Sequence, residues 1–181
     1  MLEKMRRRYT REWYLDRVAR IRQAMPDCAI TTDIIAGFCG ETEQDHQDTL
    51  DIMRRVKYDY AYMFQYSERP GTLAARKYPD DIEPQEKTRR LNEIIALQNE
   101  LSLESNKKDV GKVLTVLVEG TSKRSDKELC GRESNNKMCV FPAELAEASE
   151  PTAPGRYHVG DYVKVEVLSC TSATLICKIA E

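Results

Sequence analysis

Apolar residues recur along this chain at two spacings, and the change from one to the other divides it. Up to about residue 107, helical and strand-like runs alternate. Tyr14, Val18, Ile21 and Met25 share one face of a helix predicted from Thr10 to Met25. Thr10 is its N-cap, and Pro26-Asp27 ends it. Residues 28–38 read as a strand apolar on both faces, as in a buried parallel sheet. A second helix covers 43–56, with His46, Leu50 and Met53 on one side. Residues 58–66 form another strand, on which Tyr58, Tyr60, Tyr62, Phe64 and Tyr66 alternate onto one face. A turn at 67–72 and an irregular stretch at 73–83 follow. Pro84 then opens a long helix to residue 107, with Leu91, Ile94, Ile95 and Leu101 as its stripe.

Beyond Gly111 only the two-residue period remains. Strands are predicted at Val113–Val118, on either side of Asn135-Asn136 within Cys130–Phe141, at Tyr162–Leu168 and at Ala173–Ile179. Residues 142–155, rich in Glu and Pro, read as a solvated loop. Five short strands without a helix predict a small antiparallel barrel, OB-like in size. The chain therefore divides into an α/β part at 1–107 and a β part at 108–181. Two parallel strands with three helices cannot close a barrel or cover both sheet faces. The first part reads as a piece of a larger α/β domain, with apolar surface left bare.

Composition narrows the function classes only a little. The chain is 41% hydrophobic and 32% charged with a net charge of −2, so no global field draws it to nucleic acid or an anionic membrane. No apolar run has the roughly 20 residues a membrane span needs. The basic N-terminus lacks the apolar core of a secretion signal, which makes the cytoplasm the expected location. The six cysteines form no CxxC pair and no zinc spacing, and are expected to be free thiols. From 107 to 181, eleven basic residues balance eleven acidic ones. A basic face for RNA there requires segregation, with acids gathered in 142–155 and Lys112, Lys123, Arg124, Lys127, Arg132 and Lys137 elsewhere. Phe141, Tyr157 and Tyr162 are the aromatics available for base stacking.

The run TDIIAGFCGETEQD at 32–45 holds the most local chemistry. A strand ends on Gly37 and Gly40 against a helix start whose Thr42 and Asp45 form a capping box. Such joints hold polar or anionic ligands in α/β proteins, and equally they occur as plain strand–loop–helix connections. His46, on a helix face, reads as structural. Neither histidine has a triad partner at suggestive spacing, and no P-loop or zinc motif is present. Tyr66, at a strand's C-terminal end, is placed where barrel enzymes face their ligands.

These residues resemble the radical S-adenosylmethionine methylthiotransferases that modify tRNA, of the MiaB type, over essentially the whole chain. Leu2, Met5, Arg7, Tyr9, Thr10 and Arg11 fit one family run, and TDIIAGFCGETEQD fits another, with Cys39 where relatives usually carry Pro. Phe64 to Thr72 fit the F-x-Y-S-x-R-P-G-T strand and loop, and Arg89-Arg90-Leu91 with Leu97-Gln98 fit the linker helix. Val118-Glu119-Gly120, Gly131-Arg132, Val140-Phe141 and Gly160-Asp161 fit the TRAM domain, a small RNA-binding barrel.

The resemblance implies the C-terminal part of a radical-SAM (β/α) barrel followed by TRAM. The full enzyme would add a methylthio group to the dimethylallyladenosine beside the tRNA anticodon, using S-adenosylmethionine and two 4Fe-4S clusters. The family's C-x-x-x-C-x-x-C loop is absent from this sequence. The clusters would therefore be ligated outside this chain, which alone would be inactive and carry no catalytic or metal residue. Asp33, Ile35, Gly37, Glu41, Phe64, Tyr66, Ser67 and Arg69 would serve the cofactor, with Asp33 ordering the strand end. Lys112, Lys123, Arg124 and Arg132 would contact RNA, the partner being the tRNA anticodon stem-loop. The full-length protein would be monomeric. A free-standing RNA-binding module, or a fragment of the sibling family that modifies a ribosomal protein, is the alternative.

Overall fold

A computed structural model describes residues 1–143 and 157–180. The chain forms two compact units, Met1–Leu101 and Ser102–Glu181. In the first, helix α1 (Arg11–Ala24) starts where the Thr10 side chain accepts the Trp13 N–H. Strand β1 (Thr31–Ala36) leads to α2 (Glu43–Val56). The α2 start is a complete capping box: Asp45 N–H donates to the Thr42 hydroxyl, and Thr42 N–H to the Asp45 carboxylate. Such a cap stabilises a helix by about 1 kcal/mol. Strand β2 (Tyr60–Gln65), α3 (Leu73–Lys77) and α4 (Pro84–Lys107) follow. The stretch 73–83, expected to be irregular, thus holds one short helix, because Thr72 caps it through the Ala75 N–H.

β1 and β2 pair in parallel, from Thr31↔Tyr60 to Ala36↔Gln65. Ala36 and Ala61 are buried and Ile34 and Met63 face inward, against a core of Val18, Leu50, Met53, Val56, Tyr58, Ile94 and Leu101. The opposite face is bare. Ile35, Tyr60, Tyr62 and Phe64 are 41%, 49%, 56% and 54% exposed. β1 is therefore covered on one face only, not on both as its apolar run implied. The aromatic row is also shorter than its spacing predicted. Tyr58 precedes the strand and turns into the core, where its hydroxyl meets that of Tyr14 at 2.6 Å and its carbonyl accepts from Gln98.

The second unit is a closed five-stranded barrel: β3 (Val113–Ser122), β4 (Ser125–Glu133), β5 (Met138–Pro142), β6 (Tyr162–Cys170) and β7 (Leu175–Ile179). The strands run around it in the order β3-β4-β5-β7-β6. Four pairings are antiparallel, while β5 and β7 pair in parallel at Cys139↔Leu175 and Val140↔Ile176. The expected all-antiparallel barrel is corrected by that one seam, which gives the OB-like order. Inward positions at period two fill the barrel with Val116, Val118, Cys139, Phe141, Val163, Val165, Val167, Leu175 and Cys177.

The end of α4 is bonded into this unit. Asn106 donates to the carbonyls of Thr171 and Ser172, at 2.9 and 3.3 Å. Lys137 Nζ reaches Asp109 at 2.6 Å and the Ser105 hydroxyl at 3.0 Å. Burial works to raise the Asp109 pKa, but hydrogen bonds and charge from Lys137 and Lys112 outweigh it and hold the carboxyl below its ordinary value. A lowered carboxylate pKa contributes stability above the unfolded value, about 3.9, and that contribution is lost as pH falls through the folded value. The barrel is expected to weaken as pH drops below about 4. Urea midpoints between about pH 5 and pH 2 should fall less steeply in Asp109→Asn than in the parent. No helix among the described residues is long and apolar enough to cross a membrane.

Candidate functional site

β1 ends on a turn held from behind by α4. Gly37 lies at φ +75°, and its N–H donates to Glu41 Oε2 at 2.6 Å. A Cβ there would sit 2.4 Å from Lys87 Cγ, so glycine is needed both for the backbone and for the lysine stem. Glu41 is buried, and Arg90 Nη1 binds its carbonyl at 2.9 Å and its Oε2 at 3.0 Å. Arg90 Nε also donates to Glu86 at 2.9 Å. Lys87 is buried too, with Nζ on Asp80 at 2.5 Å and 5.3 Å from the centroid of the Tyr66 ring. Gly40 N–H donates to Asp81 at 2.6 Å.

The expected cofactor residues separate into three groups around this turn. Asp33, Ile35 and Phe64 stand on the bare face, where Ile35 pairs with Phe64 and Asp33 with Tyr62. Gly37 and Glu41 are buried and bonded to each other, so they shape the strand end. The carboxylate ordering the turn is that of Glu41; Asp33 lies two residues before Ile35 on the open face. Tyr66 follows β2, with its N–H on Ala36 O at 2.8 Å and its ring edge-on to Phe38 at 5.0 Å. It is half-buried there, off the exposed row of Tyr60, Tyr62 and Phe64. Ser67 and Arg69 are exposed in the following turn, where Arg69 O accepts from the Thr72 hydroxyl at 2.8 Å.

Lys87 and Arg90 were not anticipated. Their signal is their spacing: positions 87, 90, 94, 98 and 101 lie on one face of α4, and all five residues there are buried. Charged residues in register with Ile94 and Leu101 mark a buried polar contact.

On the barrel, Lys123 and Arg124 are exposed together at the β3–β4 turn. Arg132, on β4, is 3.3 Å from Glu119 and donates to the Asn136 carbonyl at 3.0 Å. Lys112 precedes the other end of β3, roughly 30 Å of strand from that turn at about 3.3 Å per residue. It pairs with Asp109 at 2.9 Å, so the four expected RNA contacts do not form one cluster. Phe141 is 1% exposed in the barrel core and is withdrawn from stacking. Tyr157 packs against that core, while Tyr162 is 72% exposed. Most of the acidic loop expected to segregate charge, residues 144–155, lies outside the described residues. All six cysteines are free.

Residues 107–179 match the TRAM domain family. The tRNA-2-methylthio-N(6)-dimethylallyladenosine synthase of Phocaeicola vulgatus is 52% identical over 175 residues, 97% of this chain and 36% of the relative. The enzyme of the same name from Parabacteroides distasonis is 51% identical over the same shares. That from Porphyromonas gingivalis strain W83 is 50% identical over 181 residues, the whole chain and 37% of the relative. The chain thus spans a little over a third of the length of the curated relatives it matches. Over nearly its whole length the chain is thus similar to part of the tRNA-2-methylthio-N(6)-dimethylallyladenosine synthases, and its residues 107–179 match the TRAM domain family.

Proposed function

We propose that the chain is the C-terminal portion of a tRNA methylthiotransferase acting on the dimethylallyladenosine beside the anticodon. In this reading the first unit is a wall segment of a radical-SAM barrel, and the second is the tRNA-binding domain. The observation that carries it is the bare β1–β2 face, in a chain whose two units together match about 36% of those synthases. A lone α/β unit has no reason to leave Ile35, Tyr60, Tyr62 and Phe64 in water. The same residues become an interior wall once further strands stand opposite.

The bare face suits an adenosyl group. Ile35 and Phe64, adjacent across the two strands, offer an apolar surface for a purine ring, with Asp33 two positions away on the same face. Tyr66, Ser67 and Arg69 follow at the C-terminal end of β2. Bound there, S-adenosylmethionine would supply the radical that abstracts an unactivated hydrogen. Glu41, Arg90 and Lys87 would act behind it by fixing the turn at Gly37. Iron–sulfur ligation does not fit this chain: among the described residues no three His, Cys, Asp or Glu gather as a metal site. Both 4Fe-4S clusters are therefore assigned to the remainder of the enzyme. On the barrel, Lys123 and Arg124 would meet phosphates, in the cytoplasm where tRNA is modified.

The test joins this chain to the remaining two thirds of the Porphyromonas gingivalis relative and reconstitutes the clusters. Nucleosides from treated tRNA are then analysed by mass spectrometry. The chimera is expected to form the methylthio nucleoside. The 181-residue chain alone should bind an anticodon stem-loop in a salt-dependent way and form none. A folded, cluster-loaded chimera without product, beside an active parent enzyme, would overturn the assignment.

A further inference from the structure

Neither the strand end nor the barrel uses the cluster at the start of the chain. Arg6, Arg7 and Arg8 are exposed, and with Glu3 they line a surface recess of about 520 Å³. Neighbouring arginines are neutralised: Arg11 by Asp48 and Asp51, Arg20 by Asp16, Arg22 by Asp59. Among the described residues no carboxylate forms an ion pair with Arg6, Arg7 or Arg8. Glu3 is the one acid lining the recess. Three adjacent cations that form no ion pair, beside a single acid, repel one another, a cost that a bound polyanion would remove.

The backbone there is also strained. Arg6 lies at φ +56°, in the left-handed region that costs a non-glycine residue about 1 kcal/mol or more. Three hydrogen bonds hold the turn: Met5 N–H to Met1 O, Arg6 N–H to Glu3 O and Arg7 N–H to Leu2 O, at 3.1, 2.9 and 2.8 Å.

An aromatic platform continues directly from this turn. Tyr9 stacks on Trp13 with centroids 5.7 Å apart, and on Tyr14 at 5.8 Å. The Arg17 guanidinium lies 5.0 Å from the Trp13 ring centroid. Trp13 is the only tryptophan in the chain and is 49% exposed. A half-open indole with a cation on it, next to unpaired arginines, is the combination that holds single-stranded nucleic acid: phosphates on the cations, a base on the ring.

We propose that Arg6, Arg7, Arg8, Tyr9 and Trp13 form an RNA-binding patch in the first unit, separate from the barrel. The arginine recess takes phosphodiester groups of a single strand, and Trp13 stacks a base in the place Arg17 now shares. The choice of RNA among polyanions rests on the function proposed above; the patch itself rests on charge, strain and exposed aromatic surface.

The lone tryptophan makes the site separately readable. The 181-residue chain is titrated with a ten-residue oligouridylate while Trp13 fluorescence and the anisotropy of labelled RNA are followed. A saturable quench is expected, weakening as salt rises. Arg6→Gln/Arg7→Gln/Arg8→Gln should weaken the quench at least tenfold and reduce the salt slope by about 2, at roughly 0.7 per phosphate contact. Glu3→Gln, which removes the acid in the recess, should tighten binding about two- to threefold, a gain that misfolding cannot produce. The quench should persist in Lys123→Ala/Arg124→Ala. Anisotropy showing RNA bound with no quench would overturn the patch and leave the barrel reading standing. Binding absent by both readouts would count against both. An equal quench by polyglutamate or by inorganic phosphate alone would overturn recognition of an RNA strand.

Discussion

Alanine at Gly131 is expected to destabilise the barrel by about 3 kcal/mol or more. The added Cβ would lie 2.0 Å from the Leu117 carbonyl oxygen, 2.8 Å from its carbon and 2.8 Å from Val116 Cγ1. Two of these atoms are main chain, on the strand to which Gly131 is paired at Val118. They can retreat only by opening the β3–β4 ladder. Gly120, on the facing strand, meets nothing within 4 Å of its own Cβ position, so Gly120→Ala should stay within about 0.5 kcal/mol of the parent. Urea denaturation followed by far-ultraviolet circular dichroism compares the two. A Gly131→Ala loss under about 1 kcal/mol would mean that the strands can part without penalty.

Removing the Arg90 side chain is expected to cost the first unit about 3–5 kcal/mol. Its guanidinium and the Glu41 carboxylate are each 6% exposed as side chains, so Arg90→Ala strands a buried anion. The Glu41 carbonyl and the Gly37 amide lose their fixed geometry with it. The uncharged double replacement Glu41→Gln/Arg90→Met should recover much of the loss, because a charge-free interior has no ion to desolvate. Trp13 fluorescence follows unfolding of this unit, and hydrogen exchange at the Gly37 amide follows the turn. An Arg90→Ala transition within about 1 kcal/mol of the parent would show that water, not Arg90, satisfies Glu41.

What could be read in advance was local. Thr10, the Thr42–Asp45 box and Pro84 each mark a helix start through chemistry confined to one turn, and the helices begin there. The alternation from Val113 to Ile179 likewise marks five strands, though not how they join. The parallel β5–β7 seam pairs residues some 36 positions apart, which no window of sequence contains. Tyr58 shares the period of the exposed tyrosines, but its partners are Tyr14 and Gln98, from other elements. The same non-locality hid the candidate site's support. Local chemistry left Gly37–Glu41 equally readable as a ligand site or a plain joint, and Lys87 and Arg90, which grip it, come from a helix some 50 residues on. The family resemblance supplied the chemistry; the fold divides its candidate residues among an open face, a buried brace and the turn after β2.

The bonds from Ser105, Asn106 and Asp109 make the tail of α4 a fitted plug for the barrel's polar loops. Anyone excising the barrel should therefore begin upstream of Ser102. A cut after Lys107 would discard the amide that ties down Thr171 and Ser172, and would yield a looser module than nature's.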